Sequence, residues 1–205
     1  MLVSKDFKLP DRPAFIAFEG INGCGKTTLH KLLSKRLEGA GKAVCDTREP
    51  GGTPLGQELR RLLLDWKGEP KSHRAELLLF AADRAEHVDK VIRPNLEAGR
   101  WVITDRFVYS TITFQGHGRG IDRALIDEAN ALAVRGTLPD LVILLDLSPE
   151  EAFSRITKRN SSGRDSFEDE EIAFHSRIRE GFLECARESA VPFLVLDATK
   201  TPEQL

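Results

Sequence analysis

A short apolar run, AFIAF (Ala14 to Phe18), passes directly into the stretch EGINGCGKTT. Gly20, Gly25, Lys26 and Thr27 of that stretch fall at G-x-x-x-x-G-K-[ST] spacing. Beyond it, Leu29, Leu32, Leu33 and Leu37 share one helical face. Few arrangements of backbone accept this order of buried strand, glycine turn and helix. Glycines let successive N–H groups converge on one anionic point, and the helix N-terminus adds partial positive charge there. The expected occupant is the phosphate chain of a nucleoside triphosphate. Gly20, Ile21, Asn22, Gly23, Cys24, Gly25, Lys26, Thr27 and Thr28 would form the cradle. Lys26 would reach the β- and γ-phosphates, and the Thr27 hydroxyl would hold Mg²⁺.

Four more apolar runs follow: AVCDT (Ala43 to Thr47), WVITD (Trp101 to Asp105), DLVILLDL (Asp140 to Leu147) and PFLVLD (Pro192 to Asp197). Helical patterns separate them. Leu55, Leu59, Leu62 and Leu63 suggest one helix, Ser72 can cap a long one, and Phe174, Ile178, Phe182 and Cys185 form a late stripe. Strands apolar throughout, alternating with helices, imply a parallel sheet covered on both faces. No repeat, low-complexity tract or linker divides the 205 residues, which suit one domain. The polar stretch RITKRNSSGRDSFEDEE reads as an excursion from that domain. The sequence stops soon after Thr201-Pro202, where one more helix would usually follow.

Composition narrows the partners. A net charge of −2 supplies no basic field, so wrapping of nucleic acid is not expected. No run approaches the ~20 apolar residues that cross a bilayer, so no membrane partner is expected. The N-terminus lacks the apolar segment of a signal peptide. Cys24, Cys45 and Cys185 lie far apart without C-x-x-C spacing, which fits a reducing cytoplasm rather than a disulfide frame or zinc site.

Ligands of an open parallel sheet sit beyond the C-terminal ends of its strands. Arg48, Asp105 and Arg106 fall at such ends, beside the phosphate loop. Two guanidiniums there suit a second anionic group, since Arg grips phosphate bidentately.

The phosphate loop, REPGG (Arg48 to Gly52), FAADRAEH (Phe80 to His87) and DRFVYSTITFQG (Asp105 to Gly116), in this order and spacing, resemble the thymidylate kinase family. The likeness runs from about Phe15 to Asp197. It implies an α/β, three-layer P-loop NTPase fold: a five-stranded parallel sheet flanked by helices, in one domain over 1–205, with a small lid at about 155–168. It implies transfer of the ATP γ-phosphoryl to dTMP, with Mg²⁺, giving ADP and dTDP, in a homodimer.

The resemblance also implies roles. Arg48 and Arg106 would hold the acceptor phosphate, with Glu49 and Pro50 beside it. Phe80 would stack on thymine and Arg84 would donate to its O4. Thr111 and Gln115 would pair with the remaining edge of the base, with Ser110 and Phe114 nearby. Asp105 would bind Mg²⁺ through water or orient the acceptor. Arg155, Ala198 and Lys200 would lie on the ATP side, the segment DATKT lying against adenine mostly through backbone.

The phosphate loop itself carries Lys26 as its one cation. In-line phosphoryl transfer depends on charge stabilisation and positioning, so further cations are expected. Arg159 and Arg164 of the polar excursion would supply them as a lid closes. Three positions depart from the family pattern. Asn22 stands where a carboxylate would accept from the sugar 3′-OH, Phe114 where a Tyr is common, and Ser166 where an Arg often follows the Asp. Two other readings stay open: a kinase for another monophosphate or a deoxynucleoside, and a non-catalytic nucleotide switch. A guanine-reading switch would want N-K-x-D, which the sequence lacks.

Overall fold

The computed structural model describes residues 10–159, 167, 170–202 and 204–205, with the side chain of Arg159 excepted. Among these, five strands form one parallel sheet in the order β2-β3-β1-β4-β5. They are β1 (Phe15–Glu19), β2 (Val44–Arg48), β3 (Trp101–Asp105), β4 (Leu141–Asp146) and β5 (Phe193–Asp197). The sheet and its flanking helices make the expected α/β architecture.

The helices are α1 (Lys26–Gly39), α2 (Pro54–Leu64), α3 (His73–His87), α4 (Arg93–Glu97), α5 (Val108–Thr111), α6 (Arg123–Val134), α7 (Pro149–Arg159) and α8 (Ile172–Glu188). Helix α3 runs on through a π-helical turn, Val88–Ile92, into α4, and α5 runs into a second, Ile112–Gly118. Ser72 caps α3, accepting from Ala75 N at 3.3 Å. Thr53 caps α2 through Gly56 N at 2.9 Å, with Pro54 in the first turn.

All five residues of β1 are buried, as its central place demands. Its neighbours pair in register, Phe18 with Asp105 on one side and Glu19 with Leu144 on the other. Arg48 pairs with Asp105 from β2. The register therefore brings Glu19, Arg48 and Asp105 to the same edge of the sheet, where the chain also leaves for the phosphate loop.

The helical stripes are met unevenly. Phe174, Ile178, Phe182 and Cys185 of α8 are all buried. On α1 the fully buried positions are Lys26, His30 and Ser34; Leu29, Leu33 and Leu37 are half-buried and Leu32 is exposed. The polar stripe wins because it faces the site and β2: His30 Nε2 lies 3.1 Å from Asp46, and Ser34 also donates to Asp46. On α2, Leu63 is buried while Leu55 and Leu62 are exposed.

Candidate active site

A cavity of about 840 Å³ opens at the C-terminal edge of the sheet, between the phosphate loop and helix α3. Asn22, Gly23, Gly25, Lys26, Thr27 and Thr28 line one end. Arg48, Glu49, Pro50, Phe80, Arg84, Asp105, Arg106, Ser110, Thr111, Phe114 and Gln115 line the rest, and Arg155 joins from α7. Gly20, Ile21 and Cys24 are packed inward instead.

The loop needs its glycines for two different reasons. Gly20 has φ 138, and a Cβ there would stand 2.6 Å from the Leu145 carbonyl oxygen of the neighbouring strand. Gly25 has φ 100 and opens α1 without a side-chain cap to compete with a ligand for the N–H groups of Lys26 and Thr27, while that of Thr28 bonds the Gly25 carbonyl at 3.1 Å. Lys26 is buried, its Nζ donating at 3.0 Å to the carbonyls of Gly20 and Ile21. Burial, then the nearby Arg106 charge, push its pKa below the ordinary lysine value.

Asp105 ends β3 and accepts from the Thr27 hydroxyl at 3.1 Å. One hydroxyl and one carboxylate, beside the bed for a triphosphate, fit Mg²⁺. That ion takes few protein ligands and leaves the rest of its shell to water and phosphate oxygens.

Arg106 is held from all sides. Its backbone sits at φ 77, a left-handed conformation uncommon for a side-chain-bearing residue. Its N–H reaches Phe18 O at 2.9 Å, and its carbonyl accepts from Thr104 Oγ1 at 3.0 Å. Its guanidinium donates to Gly20 O, Ser110 Oγ and Asn22 Oδ1 and lies 4.9 Å from the centre of the Phe114 ring. Asn22 is therefore engaged by Arg106, and Phe114 supports the same guanidinium. Arg48 is exposed at the end of β2.

Arg84 stands on the cavity wall but is almost fully buried. Its Nε donates to Glu49 Oε2 at 2.9 Å, and its Nη1 to Thr111 Oγ1 at 2.9 Å and Asn130 Oδ1 at 2.7 Å. Its Nη2 donates to Phe107 O at 2.9 Å and lies 2.8 Å from Glu49 Oε2. Arg offers donors alone, and here all three nitrogens face protein oxygens, so contact with a base would require one of these bonds to be shared. Gln115 likewise gives its amide to Glu76 Oε1 at 2.9 Å.

Glu49 is shared between Arg84 and His87, whose Nδ1 lies 2.9 Å from Oε1. His87 Nε2 lies 2.6 Å from Thr47 Oγ1, and Asp83 accepts from Gly51 N at 2.9 Å. Gly52 packs so closely on the His87 ring that a Cβ would sit 2.6 Å away. The polar face of α3 thus grips the loop that carries Arg48 and Glu49. Burial, then the Glu49 charge, push the Asp83 carboxyl up from 3.8 to about 7.

Sequence reading missed Glu19, Asp83, His87 and Phe167. An acidic residue closing an apolar strand was the available signal for Glu19. Polar residues recurring along the inner face of FAADRAEH were the signal for the α3 pair. Phe167 lines the cavity, with its ring 6.1 Å from Phe80 and 5.5 Å from Phe114.

Arg155 donates to Ala198 O at 2.9 Å, tying α7 to the turn after β5; Ala198 is buried and Lys200 exposed. Arg159 ends α7, its side chain outside the described residues; Arg164 and Ser166 lie outside them as well.

A phosphate loop thus faces Arg48 and Arg106 across one cavity. The family model for thymidylate kinase matches residues 18–205. The chain belongs to the thymidylate kinase family. It is 45% identical to the thymidylate kinase of Solidesulfovibrio magneticus over 92% of this chain and 93% of that protein. It is 44% identical to that of Bdellovibrio bacteriovorus over 93% of this chain and 91% of that protein. A crystal structure of thymidylate kinase from Ehrlichia chaffeensis superposes with a TM-score of 0.73 at 37% identity, over 90% of this chain and 93% of that one. Among the described residues, no helix is long and apolar enough to cross a membrane.

Proposed function

We propose that this chain is a dTMP kinase, transferring the γ-phosphoryl group of ATP to dTMP to give ADP and dTDP in dTTP supply. The observation that carries this reading is the convergence of Lys26, Arg48 and Arg106 on one cavity that also holds Phe80 and Thr111. Two anionic ligands would meet there end to end.

ATP would lay its phosphates on the N–H groups from Gly23 to Thr28, and Lys26 would exchange its loop carbonyls for phosphate oxygens. Thr27 and Asp105 would hold Mg²⁺, which offsets charge on the transferring group when bound. Arg48 and Arg106 would take the dTMP phosphate, with Glu49, Pro50 and Ser110 shaping its surroundings. Asn22 and Phe114 would act beside the sugar by fixing Arg106. Arg159 and Arg164 would complete the positive charge from the lid side, and Arg155, Ala198 and Lys200 the adenine side.

Phe80 would stack on thymine, with Thr111 and Gln115 along its edge. Thr111 faces both the cavity and Arg84, so its bond with Arg84 Nη1 is the one that a base O4 could share. Cytosine presents a donor at that position, and two donors facing each other are rejected strongly in a buried site.

A deoxynucleoside kinase would want a carboxylate free beside the 5′-OH. Glu49 instead has one oxygen on Arg84 and the other on His87. One domain over 1–205, a cytoplasmic setting and a homodimer belong to the same reading. Exposed Leu78 on α3 and Leu125 and Leu132 on α6 offer the second copy an apolar face.

The test is release of ADP with ATP, Mg²⁺ and each of dTMP, dUMP, dCMP, UMP, AMP, GMP and thymidine. Rapid turnover with dTMP alone is expected. Release without any acceptor would overturn the reading.

A further inference from the structure

Glu19 closes β1, is fully out of solvent and is not among the residues that line the cavity. Its Oε1 accepts from the backbone N–H groups of Phe107 at 2.9 Å and Ser110 at 3.1 Å. Its Oε2 accepts from the Ser110 hydroxyl at 2.6 Å. A serine hydroxyl has one proton to donate. Once that proton points at Glu19, Ser110 Oγ can face Arg106 only as an acceptor, and Arg106 Nη1 donates to it at 2.9 Å. With Glu19 ionised, the direction of each bond in the chain is therefore set by its carboxylate.

The same guanidinium donates to Gly20 O and Asn22 Oδ1. Gly20 directly follows Glu19. The end of one strand therefore holds Arg106 twice, through the phosphate loop and through Ser110.

We infer that Glu19 is a positioning residue for the acceptor half of the reaction, acting through the Ser110 hydroxyl to aim Arg106. The inference rests on the dTMP kinase reading. It goes beyond a helix cap: the two backbone bonds alone would seat α5, but they would leave the Ser110 proton free to turn toward Arg106 and repel it. A buried carboxylate is costly unless its lone pairs are used. Here three donors use them, and only one of these lies on the path to Arg106.

The experiment compares Glu19→Gln, Ser110→Ala and the double variant, with melting temperature followed in parallel. Glu19→Gln can place an amide donor where Oε2 accepts, which turns the Ser110 proton around. Each single variant is expected to lower kcat/KM for dTMP about 10- to 100-fold, while KM for ATP stays within about twofold. The double variant is expected to be no worse than the poorer single one, because both break the same chain. Multiplying effects, or an equal shift in KM for ATP, would overturn the inference. Should Glu19→Gln fail to fold, Ser110→Ala decides alone, since it keeps both backbone bonds to Glu19; wild-type kcat/KM for dTMP would then overturn it. Wild-type enzyme is assayed first. No turnover of dTMP there would remove the functional reading and this inference together, whereas normal wild-type turnover with unaffected variants would remove this inference alone.

Discussion

Glu49 and Arg84 form an ion pair of 2.8 Å in which both side chains are almost completely out of water. They sit 35 residues apart, one on the loop after β2 and one on α3. Removing one partner strands the other's charge in the interior, which typically costs about 3–5 kcal/mol. Glu49→Ala should lower the unfolding free energy by that amount in denaturant titrations. It should also raise KM for dTMP more than KM for ATP. Adding Arg84→Met should recover part of the stability and none of the dTMP affinity.

Asp83 gives stability a pH dependence of known sign. Its carboxyl is raised from 3.8 to about 7, so the folded protein keeps a proton that the unfolded chain releases. The stability from this group is fully present below 3.8 and is lost as pH rises through about 7. Glu19, raised from 4.5 to about 7 chiefly by burial, acts in the same direction. Wild-type melting temperature should therefore contain a falling component across that window. Asp83→Asn keeps the oxygen that accepts from Gly51 N, and its profile should be flatter there.

Thr27 and Asp105 are predicted to share Mg²⁺. Thr27→Ala or Asp105→Asn should raise the Mg²⁺ concentration for half-maximal activity by about 10-fold or more, on the scale seen when a group supporting a metal site is lost. Binding of dTMP, measured by calorimetry without ATP or metal, should change little in Thr27→Ala.

Leu132 is 80% exposed, Leu78 57% and Leu125 54%, on the adjoining helices α6 and α3. If a second copy covers them, Leu132→Glu should shift the protein from dimer to monomer in sedimentation equilibrium. A wild-type monomer at micromolar concentration would contradict this.

How much of this was legible beforehand depended on how local each cause was. The limits of β3, Trp101 to Asp105, and the Ser72 cap followed from neighbouring residues alone. β1 begins one residue later than its apolar run suggested and includes Glu19, because the carboxylate finds its donors 88 and 91 residues away. Leu32 looked like core because α1 was read as an ordinary amphipathic helix. Its inner face is polar where it meets Asp46 and the phosphate loop. The loop and the cavity arginines were readable from spacing, since backbone geometry dictates the glycines and strand ends dictate the rest. The engagement of Arg84 by four protein oxygens, from Glu49, Thr111, Asn130 and Phe107, was not readable. It is assembled from segments spread over the chain.

The central claim is geometric, and a crystal structure with ADP, Mg²⁺ and dTMP bound tests it most directly. The account predicts the ADP phosphates on the loop from Gly23 to Thr28, the dTMP phosphate against Arg48 and Arg106, and thymine over Phe80. A monophosphate bound away from both arginines, or a base remote from Phe80 and Thr111, would contradict it.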